Sequence, residues 1–391
     1  MTGYAIHAGL TLATLTLLAG APPTLSQQLE RPYHISGDPE RIRTDQWHLR
    51  YLGVSTAHRI SQGEGVTVAV PDSGVDPHPD LSRNLIPGAD IVSGGGGSGR
   101  QDRDGHGTSM AGLIAAHGQP EQTGALGIAP KSKILPIFST PPNEYGDPNA
   151  LARGIDYAIA QGVDVISISS VGTSSNQLQQ SVDKAIAANI VIVAAVGNLP
   201  RDQVVGHPAS REGVVGVGGV DRAGVHAAVS VSGQGVDLTA PAVDIFSTSY
   251  GGKYSKGTGT SSATAMVAGA AALVRARFPD LSAAEVVHRL TATAVDKGPP
   301  GRDDQYGYGV IDLVAALTAD VPPLGSGPST LAAASSPAPT AAQAGPATGS
   351  DDGRAAVRGL VTLGVLVAVG GWVAVVRRRR NRIDPPPRIS R

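Results

Sequence analysis

The chain has 391 residues, enough for one large catalytic domain with appendages. It contains no cysteine, which excludes a disulfide framework, a thiolate nucleophile and a thiolate metal site. Formal net charge is −1, but seven of the 31 Lys and Arg and one of the 32 Asp and Glu follow Val376. That leaves 24 basic against 31 acidic groups, a charge of −7, on the remainder, which speaks against nucleic-acid binding by the main domain.

From Ile6 to about Leu18 the chain is apolar, and Ala19-Gly20-Ala21-Pro22-Pro23 follows. This pattern predicts a signal peptide over 1–21, although no Lys or Arg precedes Arg31. Residues 22–62 form an extension without a strong period, anchored at Gln46-Trp47-His48-Leu49.

The main domain is expected over 63–320. Val66–Val70 reads as a buried parallel strand and runs into Pro71-Asp72-Ser73-Gly74. A carboxylate just past a strand's carboxyl end is where open α/β sheets place their chemistry; Asp72 could also be a plain turn residue. A Gly-rich loop from Ile91 to Arg103 precedes Asp104-Gly105-His106-Gly107-Thr108, which opens a helix over Ser109–His117. Asp102, Asp104 and His106 have the side-chain types of a metal site but lack a further cluster, so no metal or cofactor is expected.

Lys133–Phe138, Val163–Ser169, Ile190–Ala195, Val214–Val220 and Asp237–Phe246 read as strands. Asn149–Gln161 and Gln177–Ala188 read as the helices between them. The alternation predicts an α/β fold: a doubly wound, mostly parallel sheet with helices on both faces. Helices over Ser261–Phe278, Ser282–Ala292 and Ile311–Leu317 close the domain. At Gly259-Thr260-Ser261 a turn of small residues meets an Ala-rich helix. A hydroxyl there lies among free backbone N–H groups at a positive helix end. An oxyanion formed beside Ser261 is stabilised at such a place. Helix capping by Thr260 or Ser261 is the plainer alternative.

Beyond Asp320 the composition shifts to Ala, Pro, Ser, Gly and Thr, and residues 321–356 read as a linker. An uncharged apolar run from Gly359 to Val376 predicts one C-terminal transmembrane helix over 357–376. Arg377, Arg378, Arg379, Arg380 and Arg382 follow, and 377–391 is expected to be a cytoplasmic tail. The catalytic domain is then extracytoplasmic on a single-pass membrane protein. A nucleic-acid patch is the poorer reading of the Arg run, because the apolar span abuts it.

Asp72, His106 and Ser261 thus stand in the order Asp…His…Ser, each at a strand or helix end. Val68-Ala-Val-Pro-Asp72-Ser-Gly-Val-Asp76 with His78-Pro-Asp-Leu81 resembles a motif of the subtilisin-like serine peptidases. So do Asp104-Gly-His106-Gly-Thr108, Gly259-Thr-Ser261 with Val267-Ala-Gly269, and Ala194-Ala-Val-Gly-Asn198. The likeness covers about residues 45 to 318. It implies Ser261 as nucleophile, His106 as base, Asp72 as its orienter and Asn198 as oxyanion donor. It also implies a specificity pocket flanked by Ser169, Ser170, Val171, Val196 and Gly197. The family usually has Met after the nucleophile and Pro four residues after it, where this chain has Ser262 and Ala265. Val171 stands where the family often has Gly and is expected to narrow the cleft.

The order of signal, extension, peptidase domain, linker, span and basic tail resembles the mycosins, the membrane-anchored peptidases of actinobacterial type VII secretion. Polypeptide substrates and association with that secretion membrane complex are what this resemblance implies. A structural subunit of the complex with dispensable proteolysis is the alternative.

Overall fold

The computed structural model describes residues 33–35, 38–92, 96–141 and 146–324. The expected signal peptide, transmembrane helix and basic tail lie outside them, as does the linker beyond residue 324. Among the described residues no helix is long and apolar enough to cross a membrane.

The extension folds into short pieces. Strand β1 (Tyr33–Ile35) is followed by helices α1 (Pro39–Asp45), α2 (Trp47–Tyr51) and α3 (Val54–Ala57). With four to seven residues each, these helices show no periodicity in sequence. Their stability comes from tertiary contacts instead. The Gln46 amide donates to the Leu126 and Phe246 carbonyls and accepts from the Leu126 N–H. The Trp47 indole donates to the carbonyls of Val243 and Asp244. Trp47, Leu52, Val54 and Ala57 belong to the same apolar cluster as the helices beneath them.

The main sheet is built from β2 (Thr67–Asp72), β3 (Ala89–Asp90), β4 (Lys133–Phe138), β5 (Val165–Ile168), β6 (Val191–Ala195), β7 (Val214–Val220) and β8 (Leu238–Pro241). Its order is β3-β4-β2-β5-β6-β7-β8, and every pairing is parallel. Parallel strands need crossovers, and three helices lie on them: α4 (His106–Ala115), α5 (Pro148–Ala160) and α6 (Asn176–Ala187); α7 (Thr260–Arg277), which follows the last strand of the sheet, covers it as well. Alternation along the strands sorts the core. Val68, Val70, Val191 and Val193 face α4 and α7, while Ala69, Ile166, Ile192 and Ala194 face α5 and α6. Helices α8 (Ala283–Ala292) and α9 (Leu313–Thr318) add Val286, Leu290, Leu313 and Leu317 to the first side. Asp147, Ser175, Ser282 and Asp312 cap α5, α6, α8 and α9 with their side chains.

Two expectations are corrected. Asp237–Phe246 is not one strand. It breaks at Asp244, whose φ of 52° is left-handed, and β9 (Ile245–Thr248) leaves for a second, antiparallel sheet. There it pairs with β10 (Tyr254–Gly257), which also pairs with β1. Second, α4 begins at His106 rather than at Ser109.

His48 is fully buried on α2, and neither ring nitrogen has a hydrogen-bond partner. Burial pushes its imidazole down to about 3. Below its ordinary value of about 6.5 the unfolded chain binds a proton that the folded chain refuses, so stability falls as pH drops from there toward 3. His48→Leu removes both the refused proton and two unsatisfied nitrogens. We expect its melting temperature to equal or exceed the parent's at pH 7 and to fall less between pH 6.5 and 4. Equal acid slopes in the two proteins contradict this.

Candidate active site

Asp72 ends β2, and Ser169 follows β5 directly. Because Val68 pairs with Val165 and Ala69 with Ile166, the same register brings Asp72 level with Ser169 at the carboxyl edge of the sheet. Helices α4 and α7 pack on one sheet face and share its core, and their first turns carry His106 and Ser261. Side chains from four separate segments therefore gather at one edge of the sheet.

The His106 imidazole meets the Asp72 carboxylate through Nδ1, at 2.8 Å from Oδ1 and 3.0 Å from Oδ2. Asp72 is buried, and the His106 side chain is 21% exposed. Glycines make the approach possible. Gly105 precedes the helix at a left-handed φ of 93°. A Cβ on Gly107 would collide with the Gly74 carbonyl oxygen and crowd Asp72 Cβ at 3.2 Å. Burial alone lowers the imidazole's proton affinity. Burial is the largest single influence, but the charge and hydrogen bond of Asp72 and the charges of Asp104 and Asp102 together overcome it, and His106 is held up at about 9.

Asp102, Asp104 and His106 do not assemble a metal site. The Asp102 carboxylate is already occupied by five donors: Ser73 Oγ, Thr108 Oγ1 and the N–H groups of Asp104, Gly105 and Thr108. Among the described residues no cluster of His, Asp and Glu is arranged to hold a metal ion. Sequence reading missed this hub. Its visible signal is an acid four residues before a histidine, with a threonine two residues after.

Ser261 is the second residue of α7 and is half-buried. Its hydroxyl is not spent on capping the helix. It donates to the Ser169 carbonyl at 2.9 Å, and the Ser169 hydroxyl donates back to the Ser261 carbonyl at 3.2 Å. Ser261 makes no hydrogen bond to His106 in this arrangement; its hydroxyl is turned toward Ser169 instead. The helix cap comes from elsewhere. Asn198 Oδ1 accepts from the Thr260 N–H at 2.9 Å and from Thr260 Oγ1 at 3.2 Å. A backbone N–H can only donate, so this bond fixes which amide atom faces the helix. Asn198 Nδ2 is left unengaged by any described residue, beside Gly259. Asp202 grips the Asn198 backbone, accepting from its N–H at 2.8 Å and donating its own N–H to its carbonyl at 2.9 Å.

The expected pocket residues divide. Ser169 is tied to Ser261 as described. Ser170 and Val171 are half-buried, and Val171 fills the space beside Gly206, where a Cβ would strike its Cγ1. Val171 thus leans on the loop after Asn198. Val196 points into the core and offers only backbone, its carbonyl accepting from the Gly206 N–H. The Gly197 carbonyl accepts from Thr260 Oγ1 and from the Val231 N–H.

This architecture has known relatives. Residues 63–309 match the Subtilase family, Peptidase S8. Mycosin-1 of Mycobacterium tuberculosis is 36% identical over 335 residues, which cover 71% of this chain and 74% of that protein. Subtilisin DY of Bacillus licheniformis is 39% identical over 65% of this chain and 92% of its own length. Among solved structures, MycP1 from Mycobacterium smegmatis superposes with a TM-score of 0.65 at 31% identity, covering 81% of this chain and 93% of that one. MycP3 protease from the type VII (ESX-3) secretion system gives 0.64 at 33% identity, covering 74% and 92%. The chain belongs to the subtilase family, as a mycosin-type, subtilisin-like serine endopeptidase.

Proposed function

We propose that the chain cleaves peptide bonds with Ser261 as nucleophile, His106 as general base and acid, and Asp72 as the group that orients and charges His106. The observation that carries this reading is the bond of 2.8 Å from His106 Nδ1 to Asp72, with its Nε2 left for the serine proton. Ser261 Oγ attacks the scissile carbonyl carbon as His106 Nε2 takes its proton. The carbonyl π pair becomes an oxyanion. Asn198 Nδ2 and the Ser261 N–H stabilise that charge, the N–H groups of Thr260 and Ser262 being held by Asn198 Oδ1 and the Gly259 carbonyl. Collapse breaks the C–N bond, and His106 returns the proton to the leaving amine. Water then repeats the sequence on the acyl-enzyme and frees Ser261. Ser169, Ser170, Val171, Val196 and Gly197 flank the substrate residue before the scissile bond.

We also read the protein as extracytoplasmic, anchored by 357–376 and associated with type VII secretion. The apolar span, the Arg run behind it and the likeness to MycP1 from the ESX-1 type VII secretion system support this.

A fluorophosphonate probe tests the chemistry: Ser261 Oγ attacks phosphorus, fluoride leaves, and His106 takes the proton. The intact chain is expected to label and Ser261→Ala to stay unlabelled. Equal labelling of the two, or none in the folded parent, rejects the assignment. The labelling rate reads the base as well. Because His106 is held near 9, the neutral imidazole grows as pH rises, so the rate should climb through a midpoint well above 6.5. A rate already level at pH 7 contradicts that electrostatic picture. In cells, a chain stopped after residue 356 should leave the membrane fraction and fail to support secretion. Retention in the membrane rejects the anchor, and undiminished secretion rejects the association.

A further inference from the structure

The chemistry proposed above uses Asp72 and leaves Asp102 without a role. Yet Asp102 is a buried carboxylate with five donors converging on it. These donors come from two segments that must meet for the dyad to exist. Ser73 is the neighbour of Asp72. Its hydroxyl donates to Asp102 Oδ1 at 3.0 Å and accepts from the Gly107 N–H at 3.0 Å. On the other segment, the Gly105 and Thr108 N–H groups bind Asp102 at 2.8 and 2.9 Å and bracket His106 on both sides. Thr108 Oγ1 closes the ring, donating to Asp102 Oδ2 at 2.6 Å and accepting from the Asp76 N–H at 2.9 Å.

We propose that Asp102 is a positioning residue for the dyad: its carboxylate clamps the first turn of α4 to the end of β2 and so sets where the His106 ring stands. The proposal rests on the peptidase reading of the same site. Only an anion fits the clamp. Oδ1 accepts from three donors and Oδ2 from two, and an amide in its place turns an N–H toward one of these sets. Burying a carboxylate is costly unless donors surround it, and here its neighbours supply them. The charge also reaches the imidazole. The acidic groups facing His106 are Asp72 from β2 and Asp104 and Asp102 from the loop ahead of α4.

The test compares the full chain with Asp102→Asn by two readouts. One is the fluorophosphonate labelling rate against pH. The other is the NMR titration of the His106 ring in a Ser261→Ala background, which needs no activity. Asp102→Asn is expected to label about 10- to 100-fold more slowly at its optimum, the scale of a small misplacement in an active site. Its His106 midpoint should lie below the parent's, because one facing negative charge is gone. An unchanged rate and midpoint overturn the proposal, and so does a slower rate with an unmoved midpoint, which is what a distant structural prop gives. Should Asp102→Asn fail to fold, Ser73→Ala decides: it cuts the strand-side tether and keeps every charge. It is expected to label more slowly and to shift the His106 midpoint, because the ring moves relative to Asp72, and a parental rate or a parental midpoint overturns the clamp. An unlabelled parent with a normal His106 titration rejects the peptidase reading and leaves the NMR comparison to judge Asp102.

Discussion

The contact between His106 and Asp72 depends on two backbones approaching with no side chain between them. Gly107 lies against the Gly74 carbonyl and Asp72 Cβ, and any larger residue would separate the first turn of α4 from the end of β2. Once the gap is closed, electrostatics follow. The Asp72 carboxylate is buried, and its field and hydrogen bond, joined by the charges of Asp104 and Asp102, together outweigh the penalty of burying an imidazolium. Sterics therefore come first here, and proton affinity is their product.

The same economy of small side chains runs through α7. Its first turn carries Ser261, and its body is mostly Ala, Gly, Val and Thr with Met266 and Leu273, buried from Ser262 to Arg275. Thr260 lends its N–H and hydroxyl to Asn198, so the amide on the loop after β6 and the serine on the helix are set by one another. The departures at Ser262 and Ala265 leave the helix continuous from Thr260 onward. Neither changes the hydrogen bonds just described.

Much of this was legible in the sequence, and the exceptions have physical reasons. Strands buried on both faces are unbroken apolar runs, so Lys133–Phe138 and Val214–Val220 could be placed to the residue. The same property hid the break at Asp244, since apolar residues continue on both sides of a left-handed turn. Tyr254–Gly257 is a strand without an apolar alternation, recruited by its neighbours β1 and β9. His106 looked like a loop residue because glycines surround it, and those glycines are what let α4 begin so close to β2. The candidate catalytic side chains could be named from motifs because each motif is local. Their supports could not. Ser73 and Asp102 are 29 positions apart, and Thr260 and Asn198 are 62 apart. Only the folded chain brings these pairs together.

Ser261 sits on a helix that is buried over most of its length, and that has a consequence for stability. Residues Ala263 to Val274 of α7 are buried, most of them in the larger of the two core clusters, so exchange of their amide hydrogens requires that core to open, a costly step. The hydroxyl of Ser261 is thus carried by a part of the molecule that resists opening. The short helices of the extension share that core through Trp47, Leu52, Val54 and Ala57, so the extension and the helix that carries the serine are braced by one apolar cluster.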